Sequence, residues 1–136
     1  MKGKAMVNPS AKRAIPGLAL LLAGLAAMPA QASVTGMWRV TGTISGKAFA
    51  LDCKFLPNGP ALGGECTKAA GSGHGAGKTY VLSTGAVSGG TISWGYKAHY
   101  MLMSFTVSYA GQLKGNEIQG RVKAAGRQGQ FTAVRE

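Results

Sequence analysis

From residue 35 onward, apolar and polar positions alternate in short runs rich in Val, Ile, Thr, Phe, Tyr and Trp, separated by glycine-containing breaks. No helical stripe interrupts them. Side chains on a strand point alternately to two faces, so a period of two marks half-buried β-strands. The pattern predicts eight strands, at about 36–44, 47–56, 61–68, 78–87, 91–98, 103–113, 117–125 and 128–136. Glycine is abundant, at 22 residues, but lacks the collagen period, so it marks turns, bulges and close backbone approach.

Pairing residues outward from each turn tests this pattern. Around "PNGP" (57–60), Cys53 falls opposite Cys66 and Lys54 opposite Glu65, which predicts a cross-strand disulfide on one face and a salt pair on the other. Around Gly115-Asn116, Lys114 faces Glu117, Leu113 faces Ile118, Tyr109 faces Val122 and Val107 faces Ala124. Thr106, Ser108, Gln112, Gln119, Arg121 and Lys123 share the opposite, polar face. Around Gly126-Arg127, Val122 is expected to meet Phe131 and Arg121 to meet Thr132. Faces that stay consistent across three strands describe an antiparallel meander. Such a meander with one apolar face removes its exposed edges by closing on itself. The expected fold is all-β, an eight-stranded antiparallel up-and-down barrel.

"GMW" (Gly36, Met37, Trp38) opens the first strand and Arg135 ends the last. This resembles the calycin barrels (lipocalins, fatty-acid-binding proteins and avidins), where an early Gly-x-Trp packs against a late basic residue. The resemblance implies that Arg135 lies over the Trp38 indole at a closed barrel end, a cation–π contact joining first strand to last. "YVLSTG", "ISWGYKAHY" and "SFTVSYAGQL" have an avidin-like cadence. After Trp38, however, stands "RVTGTISG" in place of the avidin biotin-binding residues, so only the barrel is carried over.

The N-terminal stretch is read separately. Lys2, Lys4, Lys12 and Arg13 form a basic leader, "LALLLAGLAA" an apolar run, and "AQA" a small-residue site before a cleavage between Ala32 and Ser33. That order predicts a secretory signal peptide over 1–32 and a single small β-barrel domain over 33–136. The apolar run is about half the roughly 20 residues of a spanning helix, which speaks against an uncleaved anchor. The expected location is periplasmic or secreted, and an oxidising compartment suits the Cys53–Cys66 pair.

Removing the leader also moderates the charge. The whole chain has 15 Lys/Arg against 4 Asp/Glu, and taking away the four leader cations leaves a net charge of +7. An anionic envelope surface is thus an expected partner. The cations are scattered singly, without the run of a nucleic-acid-binding arm, so specific nucleic-acid binding is not expected.

Four constellations bear on chemistry. "GSGHGAGKT" (71–79) ends as a phosphate loop does, yet Ser72 stands where the first glycine is required and "YVLST" continues as a strand. ATP is not expected; the stretch reads as a flexible connection able to cover a barrel mouth, with His74 within it. In "HYMLMSF", His99, Met101 and Met103 would point to one side of a strand, a soft donor set suited to Cu(I). "MLMSFTV" resembles the Met-x-Met-x-Phe strand of small periplasmic copper-chaperone barrels, although Ala98 stands where those carry Trp. His99, Tyr96 and Tyr100 are the candidates for acid–base work in a cofactor-independent isomerase or lyase. No carboxylate pair is expected from the register, which turns Asp52 and Glu65 outward and leaves Glu117 beside a turn and Glu136 at the end.

Ligand binding has the fullest candidate set. The inward aromatic positions Phe49, Trp94, Tyr96, Phe105, Tyr109 and Phe131 are joined by Leu51, Phe55, Val107 and Val122. Gly42, Gly64, Gly111, Gly120, Ala124 and Ala133 interrupt them and are expected to leave space. Eight-stranded barrels are just wide enough to be filled by side chains or to hold one small ligand. The expectation is a barrel that binds an apolar or aromatic small molecule, without a cofactor.

Overall fold

The structure is a computed structural model that describes residues 34–136 apart from residue 74. The leader, the Ala32–Ser33 cleavage point and His74 lie outside the described residues. Nine strands follow one another: β1 (Gly36–Ile44), β2 (Lys47–Asn58), β3 (Ala61–Lys68), β4 (Thr79–Val81), β5 (Thr84–Ser88), β6 (Thr91–Tyr100), β7 (Met103–Lys114), β8 (Glu117–Ala124) and β9 (Arg127–Arg135). They form one sheet in the order β2-β1-β9-β8-β7-β6-β5-β3-β4, and β2 also pairs with β3, so the sheet closes. The result is the all-β, eight-stranded antiparallel barrel that the alternation predicts, with β4 and β5 sharing the fourth staves' place.

In place of the single strand expected over 78–87, the chain forms two, β4 and β5. β4 pairs Glu65 with Val81, while β5 pairs Ala61 with Ala86, so the register against β3 moves by one residue between them. At that point Leu82 N–H donates to the Gly64 carbonyl and Ser83 N–H to the Gly95 carbonyl of β6. One extra residue in one strand is a bulge, and it bends the stave without opening the ladder.

Six of the strand connections are two-residue turns, closed by pairs such as Ile44↔Lys47, Tyr100↔Met103 and Ala124↔Arg127. The Cys53↔Cys66 and Lys54↔Glu65 pairings occur as expected. So do Lys114↔Glu117, Leu113↔Ile118, Tyr109↔Val122 and Val107↔Ala124. The β8–β9 register differs: Val122 meets Gly129, Gly120 meets Phe131 and Arg121 meets Gln130. The turn is Ala125-Gly126, both with left-handed backbone (φ 51° and 76°), rather than Gly126-Arg127. Tight hairpins favour this conformation at both central positions, and a bulky charged residue accepts it poorly. Because the error is two residues, every side chain keeps its face.

Gly111 and Gly120 also behave differently from expectation. They do stand opposite one another, but a Cβ on Gly120 would run into the Ala110 carbonyl oxygen. These glycines let β7 and β8 coil tightly together; they do not leave interior space.

Candidate functional site

One end of the barrel is filled and stitched shut. The Trp38 indole N–H donates to the Val34 carbonyl at 2.9 Å, and the Arg135 guanidinium carbon lies 4.5 Å from the Trp38 ring centroid. Arg135 also donates to the Thr35 carbonyl through Nη1 (2.8 Å) and to Asn116 Oδ1 through Nε (3.1 Å). First strand, last strand and the β7–β8 turn are joined by this one side chain. The disulfide between Cys53 and Cys66 is formed, with both residues fully buried.

Above this end, Phe55 packs on Trp94 at 4.8 Å between centroids, and Trp94 stacks on Tyr109 at 4.8 Å with the planes 9° apart. Phe131 stands edge-on to both, at 5.3 Å from Trp94 and 5.4 Å from Tyr109. Offset and edge-to-face arrangements are those aromatic quadrupoles favour. Trp94 and Phe131, expected as ligand-binding residues, therefore lie in the packed half, beneath the cavity.

The other end is hollow. A cavity of about 750 Å³ lies among the β1–β2, β6–β7 and β8–β9 turns and the loop 69–78. Four of the expected ligand-binding side chains line it: Phe49, Tyr96, Phe105 and Tyr109. Leu51, Ala98 and Val107 complete an apolar wall. Its size falls in the range of small-molecule sites.

Two hydroxyls are set into this wall. Tyr96 Oη and Tyr109 Oη lie 2.7 Å apart, sharing one buried hydrogen bond. Tyr80 stacks on the Tyr96 ring at 4.8 Å. Burial pushes the Tyr96 hydroxyl up to about 12, and Tyr109, more deeply placed, is pushed up well beyond the ordinary tyrosine value of 10. Both hydroxyls thus stay protonated near neutrality. As a pair they offer one donor and lone pairs to a polar group on an otherwise apolar guest.

The remaining candidates are placed as follows. His99 and Tyr100 are exposed at the cavity while Tyr96 is buried in its wall; His99 Nδ1 is bonded to Ser104 Oγ at 2.7 Å and Tyr96 to Tyr109. His99, Met101 and Met103 do not share the face of one strand. Met101 sits in the β6–β7 turn with φ 57°, and Met103 begins the returning strand. The physical reason is the turn itself, which reverses the chain between the imidazole and the second thioether.

Charge at the rim was missed in the sequence. Lys47, Lys68 and Arg127 line the cavity, and no Asp or Glu does. Partial burial lowers the Lys68 ammonium pKa. Lys47 and Arg127 each follow an X-Gly turn directly, Ser45-Gly46 and Ala125-Gly126, a repeated placement that would have signalled one barrel end. Loop 69–78 supplies Ser72 and Gly73 to the rim. It is held by its own backbone bonds, including Gly77 N–H to the Lys68 carbonyl at 2.8 Å, and Ala50 N–H donates to Ser72 Oγ at 2.7 Å. Gly71, Gly73, Gly75 and Gly77 all take left-handed φ near 80°, the conformation that lets the loop fold back on itself.

A redesigned β-barrel of known structure is similar to this chain, with a TM-score of 0.61 at 15% sequence identity over 79% of this chain and 95% of that one. At that identity the likeness concerns the fold alone. No protein-family model matches the sequence, and no curated protein matches it.

Proposed function

We propose that this protein is an exported binding barrel that takes an apolar or aromatic small molecule into its open end. The observation that carries the reading is the contrast within one barrel. Aromatic packing fills the closed half, while Phe49, Leu51, Tyr96, Phe105, Val107 and Tyr109 wall a cavity of about 750 Å³ in the other. Apolar walls supply the driving force for an apolar guest, at about 25 cal/mol per Å² removed from water. The Tyr96–Tyr109 hydroxyl pair supplies a polar point that orients it. The Trp38–Arg135 contact supports a calycin-type reading of the barrel, a class in keeping with interior ligands. Export is supported by the leader and by the disulfide.

The test is an equilibrium titration with N-phenyl-1-naphthylamine, a neutral aromatic probe whose emission rises in apolar surroundings. Saturable one-site binding is expected. Ala98→Phe, which adds a ring at the cavity wall, should weaken it at least about tenfold, a loss of about 1.4 kcal/mol, while leaving the thermal midpoint close to that of the parent. Absence of saturable binding, or binding indifferent to Ala98→Phe, overturns the proposal.

A further inference from the structure

Of the six two-residue turns, five contain glycine: Ser45-Gly46, Gly59-Pro60, Gly89-Gly90, Gly115-Asn116 and Ala125-Gly126. The sixth is Met101-Leu102. Turns favour Gly, Asn and Asp because these accept left-handed backbone and are at home in water. Met101 instead holds φ 57° with its side chain 82% exposed, and Leu102 is wholly exposed. Tyr100 and Met103 on either side are exposed as well. Four contiguous large apolar side chains thus crown one turn, where chance would leave them scattered singly.

This turn also reaches beyond its neighbours. Pairing of β6 with β5 ends at Gly95, and pairing of β7 with β8 ends at Val107. Residues 96–100 and 103–106 pair only with one another, as a two-stranded ribbon. On its inner side, Ala98, Tyr100, Met103 and Phe105 continue the cavity wall outward. The apolar tip and the apolar cavity are one surface.

Charge identifies what the surface meets. Lys47, Lys68 and Arg127 stand at the cavity, and Lys97 is exposed on the ribbon. The acids lie elsewhere. Asp52 is held by Arg39 at 2.7 Å on the outer wall, and Glu65 is opposite Lys54. Glu117 closes the β7–β8 turn with Lys114 at the far end, and Glu136 lies 3.6 Å from Arg39. One end of the barrel therefore presents apolar side chains ringed by cations alone. A soluble partner's acidic patch would match the ring but would leave Leu102 and Met101 without an apolar counterpart. An anionic bilayer offers both, because headgroup charge and acyl chains lie within a few ångströms of depth.

We propose that the open end of the barrel docks on anionic lipid, with the Met101–Leu102 turn entering the interface and Lys47, Lys97 and Arg127 meeting the headgroups. The cavity mouth then faces the bilayer. The inference does not depend on the cavity having a guest.

The experiment uses the protein purified from the expressing cell, in parent form and as L102W, with vesicles of phosphatidylglycerol and phosphatidylcholine or of phosphatidylcholine alone. Trp38 and Trp94 are buried and give a constant background, so the introduced indole reports the tip alone, whatever the state of the leader. With phosphatidylglycerol vesicles its emission should shift to the blue and be quenched by brominated lipid. Both effects should vanish in about 0.5 M salt, where charges are screened within a few ångströms. L102D should reduce partitioning of the parent by at least about tenfold, while leaving binding of the naphthylamine probe unchanged, because Leu102 does not line the cavity. Unshifted, unquenched emission overturns the inference. So does a dimer, seen by sedimentation without vesicles and dissolved by L102D, since that would make a second copy the occupant of the tip.

Discussion

The two ends of the barrel are made from the same alternating strands and finish in opposite ways. At the closed end, Trp38, Phe55 and Trp94 are buried to 2% exposure or less, and Arg135 satisfies carbonyl, amide and ring together. At the open end Tyr96 and Tyr109 form the buried floor of the wall, and half-buried Phe49 and Phe105 face a void. A filled interior gives stability, since each buried side chain removes apolar surface from water. A hollow one forgoes part of that gain and keeps room for a guest. The closed end is thus a clamp that permits the open end to be underpacked.

The sharpest way to break this comparison is to truncate one ring from each end. Trp38→Ala should lower the unfolding free energy by about 3–5 kcal/mol, the usual cost of deleting a large buried aromatic. Phe105→Ala should cost less than half as much, because its ring is already partly unpacked, yet it should weaken the naphthylamine probe. Urea titration measures the first quantity and probe titration the second. Equal stability costs would show that the open wall is as tightly packed as the clamp.

A second prediction uses pH and concerns the open half. Tyr96 titrates near 10 in an unfolded chain but is pushed up to about 12 here by burial. Its contribution to stability is present in full below pH 10 and is lost as pH rises through 12, because the unfolded chain releases the proton first. The rise corresponds to about 3 kcal/mol. Tyr96→Phe should reduce the alkaline loss and leave the part due to Tyr109, followed as the urea midpoint between pH 9 and 12. A parent whose midpoint does not fall across that window would place the hydroxyl in water.

The smallest effect separates the two indoles. Among the described residues, Trp94 Nε1 is the one buried side-chain polar atom without a hydrogen-bond partner, whereas Trp38 Nε1 donates to Val34. Trp94→Phe should therefore cost about 1 kcal/mol less than Trp38→Phe, the value of a typical net hydrogen bond. Thermal unfolding of the two variants gives the difference, and an equal cost would mean that the Trp94 N–H is satisfied in solution.

Much of this architecture was legible in the sequence, and the exceptions are instructive. The Cys53–Cys66 pairing followed from counting outward from one turn, because Asn58 and Ala61 close it without a bulge. The β8–β9 pairing failed by two residues because "RQGQ" offers no apolar mark between the turn and Phe131. Gly111 and Gly120 read as empty space, since a sequence shows that a side chain is missing and not that a backbone has moved in. His99, Met101 and Met103 share a strand period, and only a turn at Met101 parts them.

What the sequence determined alone is what has a period: the strands, their inward faces, the disulfide and the closing of the sheet. Alternation is a local property, and a two-residue error leaves it unchanged. Tertiary structure decided which inward residues are packed and which face a cavity, and which cations share a rim. Those are matters of height along the barrel axis, set by the staggered register of every neighbouring pair. Trp94 and Phe105 both point inward on their strands, yet one is buried in the aromatic column and the other looks into the hollow. No single strand records that difference.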